Sequence, residues 1–184
     1  MRRVELLSPA KNVDVAIAAI NNGADAVYIG GPAFGARKAV GNSLEDIEKA
    51  VRYAHRFYCR VFVTLNTILY DEELPEVERL IHSLYRIGVD AIIVQDPAVL
   101  KLDLPPIALH ASTQMHNYDL ERIKFLDRLG FQRIVLAREL SLEQLREIRR
   151  EVKAELEYFV HGALCVSLSG QCYMSYYLTN RSAN

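Results

Sequence analysis

Gly23-Ala24-Asp25-Ala26-Val27-Tyr28-Ile29 sets the pattern of the chain. A glycine ends one segment, a carboxylate follows two residues on, and an apolar run begins at once. The junction returns as Gly88-Val89-Asp90-Ala91-Ile92-Ile93 and, with Gln for Asp, as Gly130-Phe131-Gln132-Arg133-Ile134-Val135. Glycine just past a helix takes left-handed backbone at no steric cost, so each junction reads as a helix stop followed by a strand. Working outward, the apolar runs are Val4–Leu7, Ala26–Ile29, Val61–Leu65, Ala91–Val94, Ile107–His110, Arg133–Leu136 and Glu155–Val160. Most lack strict alternation, as strands buried on both faces of a parallel sheet do. Amphipathic stretches fill the gaps, at Val13–Asn22, Leu44–Tyr58, Glu72–Ile87, Pro97–Leu102, Leu120–Leu129 and Leu142–Val152. Asn12, Ser43 and Ser141 stand at N-cap positions, and Ser43/Asp46 and Ser141/Gln144 have capping-box spacing.

Strand–helix alternation implies a parallel sheet, either an open doubly wound sheet or a (β/α)8 barrel. Six units fill about 151 residues, roughly 25 each, a compact period that favours the TIM-type barrel. A dinucleotide fold wants a glycine fingerprint after its first strand, and Ser8-Pro9-Ala10-Lys11 is not one. Gly30-Gly31-Pro32-Ala33-Phe34-Gly35 fails the G-x-G-x-x-G spacing and reads as a turn needing positive φ. The expected architecture is a (β/α)8 barrel, incomplete at about seven strands, over residues 1–160, with a cysteine-containing segment over 161–184. At 184 residues the chain stops about one unit short of the barrel minimum. The segment from about Gly162 to Asn184 is accordingly expected to be poorly anchored.

Composition excludes several classes. With 51% hydrophobic and 24% charged residues the chain is neither disordered nor collagen-like. A net charge of −1 gives no global field for nucleic acid, so any such contact must be local. Three cysteines make no disulfide scaffold and suggest a reducing compartment. No apolar stretch reaches a membrane span and the N-terminus is a poor signal peptide. A cytoplasmic location is expected.

In a barrel of this kind the active site lies at the C-terminal ends of the strands. Those ends carry Ser8 and Lys11; Arg37 and Asn42; Asn66 and Thr67; Gln95 and Asp96; His110, Ser112, Thr113 and Gln114; Arg138 and Glu139; and His161 with Cys165. Arg138 and Glu139 read either as an internal ion pair or, for Arg138, as a substrate anchor. Asn66 could orient a substrate or cap its own loop. His110 reads as a hydrogen-bonded core histidine, Cys59 as a buried structural thiol, and His55, His82 and His116 as surface residues. Cys165 and Cys172, with nearby glycines and serines, leave four readings: a disulfide, a nucleophile activated by His161, metal or cluster ligation, and packing.

Glu157, Phe159, Gly162, Ala163, Leu164, Cys165, Gly170, Cys172, Met174 and Ser175 resemble, place by place, the signature of the collagenase-like peptidase family, peptidase family U32. Glu5-Leu6-Leu7-Ser8-Pro9-Ala10, Leu65-Asn66-Thr67, Ser112-Thr113-Gln114 and Arg138-Glu139-Leu140-Ser141 look like its barrel segments. Ala36-Arg37 through Asn42 resembles its second-loop motif, with Ser43 where an aromatic is usual. The resemblance implies an enzyme and two chemistries. One is oxygen-independent hydroxylation of an RNA base or a quinone precursor, with a [4Fe–4S] cluster on four cysteines and prephenate as hydroxyl donor. The other is peptidase action on a peptide such as collagen. A non-catalytic partner subunit is the third reading. By matching position, Cys165 and Cys172 would be two cluster ligands, with the other two expected beyond Asn184, so that the cluster belongs to the full-length protein and is not expected on this chain alone. Arg37, Asn66, Gln114 and Arg138 would hold the donor, since a dicarboxylate needs cationic and amide partners. His161 and Glu139 are candidate catalytic groups.

Overall fold

The structure is a computed structural model that describes residues 4–35, 41–162 and 165–179. Seven parallel strands pair in chain order: β1 (Leu7–Ala10), β2 (Ala26–Gly30), β3 (Arg60–Leu65), β4 (Ala91–Val94), β5 (Ala108–Ala111), β6 (Arg133–Val135) and β7 (Glu155–Glu157). Helices α1 (Val13–Asn21), α2 (Leu44–His55), α3 (Leu74–Arg86), α4 (Leu120–Arg128) and α5 (Leu142–Glu151) lie between them, and α6 (Met174–Thr179) follows β7. A 3-10 turn, Pro97–Lys101, replaces a helix between β4 and β5. The result is a TIM-like half-barrel. Its curl shows in the reach of Glu5, just before β1, to Arg133 on β6, at 3.1 Å.

The repeated junction explains the register. Gly23, Gly88 and Gly130 have φ of +97°, +89° and +93°. Asp25 then accepts the Leu6 N–H at 2.9 Å, Asp90 the Val61 N–H at 2.7 Å, and Gln132 the Leu109 N–H at 2.7 Å. The backbone N–H groups of the same three residues donate to the carbonyls of Leu6, Val61 and Leu109. Each junction residue therefore satisfies a free N–H at or beside the start of the preceding strand and sets the next strand beside it. The caps are equally local. Asn12 and Ser43 accept backbone N–H groups, and Ser141 and Gln144 form a full capping box. Ser43 and Asp46 depart from that pattern: the serine hydroxyl donates to the aspartate carboxylate at 2.8 Å.

The strands alternate between two cores. On β3, Val61, Val63 and Leu65 join the layer under the helices, while Phe62 packs inside the curl with Ala26, Ala91 and Ile93. The bottom of the curl, where strands begin, is charged. Arg133 donates to Glu155 at 2.6 Å, to Glu5 at 3.1 Å and to Glu157 at 3.4 Å, and Arg60 pairs with Glu5. Both guanidinium groups lie over the Phe62 ring, at 5.4 and 5.1 Å. His110 meets the same ring edge-on at 4.8 Å. Burial and the two arginines push the His110 imidazole down to about 3, so the ring is neutral at pH 7.

Several expectations are corrected. The first strand runs three residues later than its apolar run, because Pro9, which has no N–H, is accommodated on the edge strand β1. Strand β7 ends at Glu157, not Val160. Gly30, Gly31 and Gly35 do not have positive φ; Phe34 does, at 58°. Gly31 is needed instead for close approach, since a Cβ there would stand 3.0 Å from Leu65 Cδ2. His110 is buried, but its Nδ1 has no partner among the described residues. Cys59 is a buried thiol bonded to the Ala24 carbonyl, as expected.

Candidate functional site

The opposite rim, where strands end, is built from amides, hydroxyls and the cysteine segment. Asn66, just after β3, donates to Ser112 Oγ at 3.5 Å across the end of β4. Ser112 also accepts the Gln114 N–H at 3.1 Å, and Gln95 Nε2 donates to the Gln114 carbonyl at 3.4 Å. Asn66, Ser112, Gln114 and Gln95 thus form one connected arc. Asn42, buried, donates to the carbonyls of Lys11 and Gly30 and is structural. Arg37 lies outside the described residues.

The segment after β7 folds back onto this rim. His116, in left-handed conformation, approaches the Ser169 carbonyl with Nδ1 at 2.5 Å, which makes it the donor there. It is a clamp rather than the surface residue its position suggested. The Ser169 N–H donates to Glu139 Oε1 at 2.8 Å, and its hydroxyl accepts from Arg138 Nε at 3.3 Å. Gly170 is held so close that a Cβ would stand 2.7 Å from His116 N, and its φ is +78°. The middle of the segment, Ser169–Gly170, is therefore buried and anchored, contrary to expectation. On either side of it Val166, Leu168 and Met174 are exposed. Arg138 and Glu139 form no direct ion pair; Ser169 stands between them. Burial pulls the Glu139 carboxyl up, but the bonds from Ser169 outweigh it and hold the group below its usual range.

Cys165 and Cys172 come together. The Ser167 N–H lowers the Cys165 thiol pKa, burial opposes it, and Arg138 and Cys172 add further hydrogen bonds. The net shift at Cys165 is downward. Burial and the neighbouring sulfur raise Cys172. N–H···S bonds and a nearby guanidinium stabilise the thiolate form of a cysteine. The two neighbouring thiols are a pair of soft donor atoms. Among the described residues no group of three or more His, Cys, Asp or Glu could hold a metal ion. His161 is exposed on the turn after β7, and no bond from its ring to Cys165 is seen among the described residues. The structure thus joins Arg138 to the cysteines and Asn66 to Gln114, and leaves His161 apart.

Sequence reading missed Ser169, His116 and Asn117. The fixed glycine between the cysteines was the available signal for Ser169–Gly170. Asn117, fully buried, donates to the carbonyls of Ser112 and Val135 at 2.8 Å each and fixes the rim behind the site.

Residues 11–184 match peptidase family U32. A 23S rRNA 5-hydroxycytidine synthase of Escherichia coli is 58% identical over 99% of this chain, which spans 28% of that protein. The tRNA hydroxylation protein P1 of Bacillus subtilis is 35% identical over 100% of the chain, 44% of its own length. A collagenase of Porphyromonas gingivalis is 32% identical over 98% of the chain, 47% of its own length. The chain therefore spans less than half of each of these relatives. Among solved structures, a U32 peptidase superposes with a TM-score of 0.73 at 16% identity, covering 86% of this chain and 69% of that one. At that identity the likeness concerns the fold.

Proposed function

The chain belongs to peptidase family U32, and on that premise we propose that it is the barrel portion of an enzyme that hydroxylates an RNA base. The similarity to the rRNA hydroxycytidine synthase, at 58% identity over nearly the whole chain, carries the reading. The paired cysteines at the rim support it. Cys165 and Cys172 hold two positions of a [4Fe–4S] cluster, with the remaining ligands supplied from outside the described residues. Such a cluster, when bound, supplies one-electron chemistry that needs no oxygen. The chain's own residues then have distinct tasks. Ser167 N–H and Arg138 stabilise the Cys165 thiolate, while Glu139, Ser169 and His116 fix the strap that carries both sulfurs. Arg138, with Asn66 and Arg37, binds a dicarboxylate donor of the prephenate type. Arg138→Ala should abolish donor binding in calorimetry; unchanged affinity rejects that assignment. The setting is the cytoplasm, where RNA and reduced thiols coexist. Among the described residues no helix is long and apolar enough to cross a membrane.

The test is deletion of the gene in its host, followed by mass spectrometry of nucleosides from total RNA. One pyrimidine nucleoside carrying an extra oxygen should disappear. An unchanged nucleoside profile, with gelatin cleaved by the purified protein, would establish the peptidase reading instead.

A further inference from the structure

Beside the rim lies a cleft of about 460 Å³ between the loop after β4, the loop after β5, α4 and the cysteine strap. We propose that this cleft takes a single unstacked pyrimidine of the RNA, read by the carboxamides of Gln114 and Gln171. The proposal rests on the RNA-hydroxylation reading and adds to it where the base sits.

Its lining suits a base in three ways. First, three carboxamides, Gln95, Gln114 and Gln171, face the cleft. Gln95 is fixed by its bond to the Gln114 carbonyl. The side-chain amides of Gln114 and Gln171 make no hydrogen bond among the described residues. A carboxamide presents a donor and an acceptor side by side, which complements adjacent acceptor and donor groups on a base edge. Second, Phe125 and Tyr173, 52% and 49% exposed, supply aromatic surface on which a base can stack. Third, Arg122 lines the cleft, and its guanidinium has no ion pair among the described residues. It can meet a backbone phosphate.

The same lining argues against the dicarboxylate donor here. The one carboxylate present, Asp96, is already bonded to the N–H groups of Leu69 and Ala98, and it would repel an anion. Arg138, the cation placed for a donor, does not line the cleft. Gln171 and Tyr173 flank Cys172 in sequence, so a base in the cleft lies against the strap that carries the thiols. The cleft and the arginine then serve two different ligands on one strap.

The test is isothermal calorimetry on the 184-residue chain with three probes: the ribotrinucleotide ApCpA, the same trinucleotide with an abasic centre, and the tripeptide Gly-Pro-Ala. ApCpA should bind, and the abasic version at least about tenfold more weakly. Gln114→Ala and Gln171→Ala should each weaken ApCpA about tenfold, and Phe125→Ala about tenfold to a hundredfold. Arg150→Ala, on α5, should change nothing, and circular dichroism reports that each variant is folded. Equal binding of the abasic trinucleotide, indifference to both glutamine substitutions, preference for the peptide, or no binding of ApCpA at millimolar concentration would each overturn the proposal. Failure of the underlying reading looks different. There, ApCpA binds with the expected glutamine dependence, yet the nucleosides of the deletion strain are unchanged.

Discussion

The two ends of the curled sheet are built from opposite materials. At the bottom, charges are paired and shielded: Arg133, only 6% exposed in its side chain, holds three carboxylates and covers Phe62. At the rim, amides, hydroxyls and thiols surround Arg138 and Glu139, and the side-chain amides of Gln114 and Gln171 make no hydrogen bond among the described residues. A closed set of charges has nothing left to offer a ligand; an open arc of donors and acceptors does. The difference separates what holds the barrel together from what it does, as the two faces of TIM-type barrels do in general.

The sharpest way to break the contrast is at the bottom. Arg133→Ala leaves Glu5, Glu155 and Glu157 without their shared cation, and should cost about 3–5 kcal/mol in urea unfolding. Donor and nucleotide binding should survive in whatever fraction remains folded. Asp90→Ala removes the acceptor of the Val61 N–H at the start of β3 and should cost about 1–3 kcal/mol in the same measurement.

The bottom also carries a pH signature. His110 has a folded value depressed to about 3, against an ordinary 6.5. Its contribution is therefore complete above pH 6.5 and is lost as pH falls toward 3, because only the unfolded chain takes the proton in that window. The slope it adds is at most about 1.4 kcal/mol per pH unit. Comparing the wild type with His110→Phe across pH 4–7 isolates it; equal slopes would contradict the buried, neutral ring.

At the rim, effects on stability should be smaller and effects on chemistry large. Gly170→Ala should displace the strap and lower the unfolding midpoint, by less than Arg133→Ala does, because its φ is +78° and a Cβ would meet the His116 backbone. Alkylation followed by mass spectrometry reads both this and the thiol order. In the wild type, Cys165 should react before Cys172, and buried Cys59 last. Arg138→Ala should narrow the gap between the first two. Reaction of Cys172 ahead of Cys165 would contradict the opposite shifts of the two thiols.

The elements were legible in the sequence because their signals are local. Gly23, Gly88 and Gly130 stop helices within one turn, and Asn12 and Ser141 start them. Strand β1 was misplaced because Pro9 reads as a strand end unless the strand is known to lie at an edge. The charged bottom was not legible: Arg133 and Glu5 are 128 positions apart, and nothing near either names its partner. The same holds for the cleft, whose walls come from residues near 95, 114, 122 and 171. The cysteine pair was legible as a motif. Its anchoring was not, because Ser169 gains its partners, His116, Arg138 and Glu139, only through the curl of the sheet.

The central claim is that the rim, with its thiol pair, carries RNA-base hydroxylation. The direct measurement is nucleoside mass spectrometry on a deletion strain complemented with the wild-type gene or with Cys165→Ser. The wild-type gene should restore the oxygenated pyrimidine, and Cys165→Ser should not, at equal protein abundance. Restoration by both would contradict the account.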